Sequence, residues 1–258
     1  YRLWFKASTA QFEIRAGLQK INFGSARTLR PLMWFDKIDP RDPLQLTDGV
    51  YGVLSRYYFL NNANLWLWVL YGNEDPKGWD RLSTTEGKPE YGGRLQFPIS
   101  TGELGLSFHH RKAEINSTDP FSSGEPLYET TNQNSLALDG KWDAVVGLWF
   151  EYVLKKQDKH NVFSRKWEQY YNLGTNYTFG LGNGLTLNAE YFRMQTSETW
   201  SGNSEAMELL SLSAEYPLGM FDQLSAMLYY NINEQDWYRF LSISRTYDQW
   251  VIYLMGFW

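Results

Sequence analysis

The sequence predicts an all-β fold, a transmembrane antiparallel up-and-down β-barrel with about 14 strands visible and about 16 in the complete protein. Three observations predict it. Apolar and polar residues alternate with a period of two, the alternating runs are roughly nine to twelve residues long, and the connectors alternate between short and long.

In chain order, Phe12, Ile14, Ala16 and Leu18 alternate with Glu13, Arg15, Gly17 and Gln19, and Leu104, Leu106 and Phe108 with Gly105, Ser107 and His109. Val146, Leu148, Phe150, Tyr152 and Leu154 alternate with Gly147, Trp149, Glu151 and Lys155. Leu210, Leu212, Ala214 and Tyr216 alternate with Ser211, Ser213 and Glu215. Leu224, Ala226, Leu228, Tyr230 and Ile232 do so with Ser225, Met227, Tyr229 and Asn231. Successive side chains of a strand point to opposite faces, so each run has one apolar and one polar face. Soluble strands commonly have about five or six residues, whereas a tilted strand needs about nine to eleven to cross a bilayer. Several runs finish in rings: Tyr152, Tyr177 and Phe179, Tyr191, Tyr216, Tyr230. Amphipathic rings favour the headgroup level and read as two girdles.

The short connectors are Ser8 to Ala10, Asn61 to Asn64, Ser100 to Gly102, Lys141 to Asp143, Gly182 to Gly184 and Pro217 to Asp222. Between them lie Ser25 to Asp48, Glu74 to Glu90, Glu114 to Gln133, Gln157 to Lys166 and Glu198 to Glu205. Short turns at one end and long loops at the other are the habit of outer-membrane barrels; a soluble sandwich has little reason to sort its loops so.

Composition narrows the choice further. The 258 residues include 12 Trp, 18 Tyr and 15 Phe, and aromatics make up 17% of the chain, high for a soluble enzyme. Charged residues reach 21% and mean hydropathy is -0.48. No stretch approaches about 18 uninterrupted apolar residues, which excludes a transmembrane helix. Without Cys there is no disulfide framework, thiol nucleophile or Cys-based zinc site. A net charge of -5 gives no electrostatic footprint for nucleic acid, which is not an expected partner. The chain starts at Tyr1 rather than Met and shows no signal peptide, so it reads as a mature form or a piece of something longer.

The whole of 1–258 reads as one barrel domain. If the long loops are extracellular, the first strand (Arg2 to Ala7) descends towards the periplasm and the last (Gln249 to Trp258) climbs, whereas bacterial barrels begin and end on the periplasmic side. A missing strand at each end would repair this; a miscounted hairpin around Asn233 to Tyr247 is the competing explanation.

A barrel of this size has a polar, wet interior. The polar faces and less regular strands nearby supply a basic set, Arg2, Lys6, Arg15, Arg56, Arg94, Arg111, Lys141 and Lys155. The acidic set is Glu13, Glu103, Asp139, Glu151, Glu190 and Glu215. The basic residues concentrate early in the chain, while Glu190 and Glu215 come late with Asn172, Asn176, Asn188 and Asn231. Arg15, Arg56, Arg94 and Arg111 are the expected selectivity residues of a basic wall, with Glu103, Glu151 and Glu190 lining the pore beside them. Mixed charge that merely solvates a wet lumen is the alternative.

The connector 25–48 stands apart. It carries Pro31, Pro40 and Pro43, the acids Asp36, Asp39, Asp42 and Asp48, the bases Arg27, Arg30, Lys37 and Arg41, and the run Leu32-Met33-Trp34-Phe35. Prolines stiffen it, and that apolar run would be odd to leave in water. It is expected to fold inward and narrow the lumen, with Trp34 on the wall and Asp36, Asp39 and Arg41 at the aperture. An exterior loop packing on its neighbours or on a partner subunit is the alternative.

The stretch Gly17-Leu18-Gln19-Lys20-Ile21-Asn22-Phe23-Gly24, followed by Arg30-Pro31-Leu32-Met33-Trp34-Phe35-Asp36 and Asp39-Pro40-Arg41-Asp42-Pro43, resembles outer-membrane porins of Bacteroidota. It is distantly similar to alginate-export-type barrels, with their Gly-x-Gln strand before a Pro- and Asp-rich loop. Tyr177-Thr178-Phe179-Gly180-Leu181-Gly182-Asn183-Gly184 and Tyr216-Pro217-Leu218-Gly219 fit the same resemblance. It implies a diffusion channel or transport pore, without naming a substrate or catalytic residues.

Enzymatic chemistry finds little support. Of His109, His110 and His160, the adjacent pair points to opposite faces of a strand and cannot share one metal or one catalytic task. No Ser/His/acid set assembles from spacing. Asp36, Asp39 and Asp42, or Asn73, Glu74 and Asp75, offer oxygen ligands without a known calcium-loop spacing. Gly180 to Gly184 is a hairpin turn rather than a phosphate cradle. Asn116-Ser117-Thr118 is a glycosylation triplet, of little meaning if the expected bacterial source holds. No cofactor or metal is expected.

The expected function is passive or weakly selective diffusion of small polar or anionic solutes across a bacterial outer membrane. Lipid is the surrounding partner, with self-association or a larger outer-membrane complex as the protein partners such a barrel admits. A non-conducting structural barrel and a barrel enzyme are the alternatives.

Overall fold

A computed structural model describes residues 3–37, 39–42, 47–117, 127–159, 165–200, 202 and 205–258. The strands in chain order are β1 (Trp4–Ser8), β2 (Phe12–Gln19), β3 (Val50–Tyr58), β4 (Asn64–Leu70), β5 (Glu90–Ile99), β6 (Gly102–Ser117) and β7 (Leu127–Asp143). They continue with β8 (Gly147–Gln157), β9 (Trp167–Phe179), β10 (Leu185–Ser197), β11 (Glu205–Pro217), β12 (Asp222–Asn231), β13 (Asp236–Thr246) and β14 (Val251–Phe257). No helix occurs among the described residues. Each strand pairs antiparallel with the next in one 14-stranded sheet ordered β1 to β14. The sheet is not closed, since no described pairing joins β14 to β1. β13 pairs with both β12 and β14, so the hairpins flanking it are real.

The period of two has a direct structural consequence. Leu212 lies opposite Ala189 on one side and Leu228 on the other, while Ser213 lies between Asn188 and Met227. The rows therefore sort the sheet into an apolar face and a mixed polar face. The apolar face is the exposed one: Val53, Leu67, Val69, Leu95, Leu106, Leu138, Leu212 and Ile243 are all exposed. The other face buries Glu13, Arg94, Arg111, Asp139, Glu151 and Glu190. This is the reverse of the usual globular arrangement, in which charged side chains stay in water.

Several connectors differ from expectation. β6 and β7 run to Ser117 and from Leu127, well into the expected loop Glu114 to Gln133, because their ladder continues through Ile115↔Glu129. Lys141 to Asp143 is strand, not turn: Lys141 pairs with Glu103 and Trp149, and the chain reverses at 144–146. That turn is Ala-Val-Val, with Val145 exposed, so it lacks the usual polar turn chemistry. Arg2, His160 and Thr118 of the triplet lie outside the described residues, as do 38 and 43–46 of the first long connector.

That connector, 20–49, lies against the polar face. Ile21, Phe23, Leu29, Leu32, Trp34 and Phe35 are buried in one cluster with Val50 and Leu54 of β3, Trp68 and Leu70 of β4, Ala137 of β7, Val153 of β8, Tyr170 of β9 and Phe192 of β10. One connector can touch strands so far apart in sheet order only if the sheet curls round it. Phe23 stacks on Trp68 at 5.7 Å and meets Trp34 edge-on at 5.6 Å.

Candidate functional site

The site is the interior of the curled sheet, where two connectors meet the charged face. The first connector is held by two carboxylates. Glu151 of β8 accepts hydrogen bonds from the backbone N–H of Ser25 (2.6 Å), Ala26 (2.7 Å) and Leu32 (3.2 Å). Glu190 of β10 accepts from Arg27 (2.7 Å), Thr28 (3.0 Å) and Leu29 (2.7 Å). Asn172 of β9 lies between them, donating to the Leu29 carbonyl (2.7 Å) and to Glu190 (3.2 Å). A prolyl, turning chain leaves its own amides unpaired, and these carboxyl oxygens satisfy them. Gly24, at φ +91°, lets the chain pass close over Glu151, where a Cβ would press on the carboxylate.

The second connector, 71–89, also turns inward, which the sequence reading missed. Trp79 stacks on Phe192 at 4.8 Å and donates its indole N–H to the Arg30 carbonyl (2.8 Å), joining the two connectors. Asp80 accepts from Lys155 (2.6 Å) and faces Arg111 (3.3 Å). Arg111 also donates to Gln133 (2.6 Å), Thr84 (3.1 Å) and the Leu82 carbonyl (3.0 Å). Residues 83–85 bond the edge of β6 through Glu114 N–H to Ser83 O and Thr85 N–H to Lys112 O. The signal for this docking was the one indole of the connector, Trp79, between Gly78 and Asp80 in a largely polar stretch.

Gly78 makes the close approach between connectors, at φ +52° with its missing Cβ aimed at the Met33 carbonyl. Gly78→Ala is expected to lift 71–89 off 20–49, because a methyl group there overlaps backbone that cannot swing aside. Limited proteolysis reads this as a new cleavage within 71–89 while the strands stay intact.

Burial pushes the Asp80 carboxyl up, but Arg111 and Lys155 outweigh it and hold the group at about 2. A folded value below the unfolded one, near 3.9, stabilises docking in full above about pH 4. As pH falls towards about 2, roughly 2 kcal/mol of that stabilisation is lost. Asp80→Asn is expected to remove this acid transition, followed as fluorescence of the docked Trp79. At the first connector, hydrogen bonding from Arg41 holds Asp39 below the usual carboxylate range.

The expected selectivity residues all lie on the buried face, and each arginine has a carboxylate beside it. Arg94 is 3% exposed and grips Asp139 through two bonds of 2.6 and 2.7 Å, with Ser107 at 3.0 Å and the Phe23 ring at 5.1 Å. Arg111 is 1% exposed and takes Asp80 as above. Arg15 (2.7 Å), Lys6 (2.6 Å) and Arg56 (3.6 Å) converge on Glu13, and Arg56 lies 3.8 Å over the Trp66 ring. Glu103 accepts from Gln96 at 2.6 Å, and Lys141 pairs with Asp143 at 2.8 Å.

On the first connector, Trp34 is buried among rings and Asp36 is buried, accepting from Thr47 at 2.6 Å. Asp39 and Arg41 form an exposed pair at 2.7 Å. Asp36 and Asp39 are thus separated by role, one structural and one accessible.

His109 and His110 take opposite faces. His109 is buried, 3.1 Å from Glu90 and 3.2 Å from the Trp68 indole nitrogen, and Lys77 is 2.9 Å from the same Glu90. His110 meets Asn134 at 2.8 Å and lies against the Tyr91 ring. Among the described residues no group of three or more His, Cys, Asp or Glu could hold a metal ion.

What the fold and site define is an up-and-down antiparallel sheet with an exposed apolar face and a charged interior occupied by two tethered connectors. No family model matches this chain, and no curated protein matches its sequence.

Proposed function

We propose that this chain forms a bacterial outer-membrane β-barrel channel, narrowed by 20–49 and 71–89, that passes small polar solutes by diffusion. The observation that carries the reading is the inverted sheet: aliphatic rows exposed on one face, paired charges buried on the other. In water the exposed rows would drive aggregation; in hydrocarbon they are at home. A sheet with no open edge is what a bilayer tolerates, so the reading takes the barrel as closed in the membrane. Tyr57, Phe59, Phe97, Tyr177 and Phe179, exposed towards strand ends, suit the headgroup level.

The pairing modifies the expected wall. Arg94 is matched one to one by Asp139, whereas Lys6, Arg15 and Arg56 share the single carboxylate of Glu13, so positive charge is left beside β1 to β3 and not at Arg94. The channel needs no catalytic group and no cofactor. The second reading, a non-conducting structural barrel, is favoured by one observation: the tethered connectors cover the inner face from β3 to β10. Planar-bilayer recording of the purified protein separates the two. Discrete steps with weak ion selectivity support the channel, and a silent bilayer supports the structural barrel.

A further inference from the structure

The interior left uncovered lies between the first connector and the last strands. A cavity of about 650 Å³ opens there, walled by Trp79, Leu209, Tyr229, Tyr238, Phe240 and Phe257. Asp39 and Arg41 line the same cavity, and both also line a smaller one of about 340 Å³ beside Phe240 and Phe257. Their ion pair, with Nε–Oδ1 at 2.9 Å and Nη2–Oδ2 at 2.7 Å, is unlike the buried Arg94–Asp139 pair: its side chains are 46% and 54% exposed. A cation and an anion therefore stand side by side, accessible, at the edge of a wall of rings.

We propose that this cavity binds a zwitterionic solute bearing an aromatic ring: an aromatic amino acid, or a short peptide carrying one. The proposal rests on the channel reading and names its solute class. The volume falls in the range of about 300 to 1,000 Å³ usual for small-molecule sites. The solute's carboxylate takes the Arg41 fork, which matches it in plane, and its ammonium takes Asp39. Exchanging partners costs little, because an exposed pair is worth only about 0 to 1 kcal/mol. The ring lies among Tyr229, Phe240 and Phe257, in offset or edge-on contact. A simple anion meets Asp39, a simple cation meets Arg41, and a sugar finds few polar groups for its hydroxyls. The zwitterion with a ring satisfies both parts of the wall.

Calorimetric titration of the detergent-solubilised protein with L-phenylalanine, glycine, phenylacetate and phenethylamine tests this. L-Phenylalanine is expected to bind, and the other three at least about tenfold more weakly, a difference of about 1.4 kcal/mol each. Phe240→Ala and Arg41→Gln are each expected to weaken L-phenylalanine by a similar factor. Phe240 is buried and its loss can disturb folding, so the exposed Arg41→Gln decides. Glycine binding as tightly as L-phenylalanine, no binding at all, or an Arg41→Gln affinity equal to wild type overturns the proposal. Conductance recorded on the same preparation keeps the two readings apart. A conducting protein that ignores L-phenylalanine loses the solute class alone, and a silent one that binds it keeps the site and loses the channel.

Discussion

Replacing Glu151 and Glu190 together by alanine is expected to raise single-channel conductance severalfold while the sheet still assembles. Six backbone amides, from Ser25 to Leu29 and at Leu32, end on these two carboxylates. Removing both acceptors strands donors that were bonded away from water, at about 1 to 3 kcal/mol for each buried one. The apolar contacts of Leu29, Leu32 and Trp34 cannot hold the segment in register against that cost, so it leaves the wall and the aperture widens. The ladders of β8 and β10 do not depend on these side chains, since their rungs to β7, β9 and β11 are backbone bonds. Glu151→Gln with Glu190→Gln keeps one accepting oxygen per site and is expected to fall between wild type and the alanine pair. Conductance unchanged in the alanine pair contradicts a constricting role for 20–49, as would unchanged conductance after deletion of Thr28 to Asp39.

Arg94→Met is expected to destabilise the folded protein by about 3 to 5 kcal/mol, the cost of leaving a buried carboxylate, Asp139, without its cation. Arg94→Glu is worse, because it sets two buried carboxylates together, and folding rather than ion preference is what it changes. Arg94→Met combined with Asp139→Leu is expected to recover most of the loss, since an apolar pair of similar volume is often as stable as the ion pair. Denaturant unfolding in detergent, read by tryptophan fluorescence, gives all three values. If the double variant is no better than Arg94→Met, the pair acts through something other than mutual neutralisation.

Much of the fold is legible in the sequence because it is local. The alternation from Leu210 to Tyr216 becomes β11, and that from Leu224 becomes β12, since face assignment needs only a period of two. The run Leu32-Met33-Trp34-Phe35 in a Pro- and Asp-rich connector marks a segment that must be buried somewhere. Its partners are not legible. Glu151 and Glu190 lie more than a hundred residues away, and only the curl of the sheet brings them under Ser25 and Arg27. Arg94 reads equally well as a free cation or as half of a pair, because Asp139 lies two strands away, beyond β6. The turn at 144–146 escaped notice for the opposite reason: its residues are apolar and resemble strand.

The central claim is that lipid wets the exposed aliphatic face. The chain has no Cys, so single cysteines carrying nitroxide labels can be placed without background at Leu67, Leu138 and Leu212 on that face and at Ser135 and Ser213 on the other. In phospholipid vesicles the first three are expected to be relaxed by molecular oxygen and shielded from a water-soluble nickel chelate, with the two serine positions lacking that preference for oxygen. Equal access of the nickel chelate to Leu67, Leu138 and Leu212 and to an exposed turn position such as Val145 would contradict the claim.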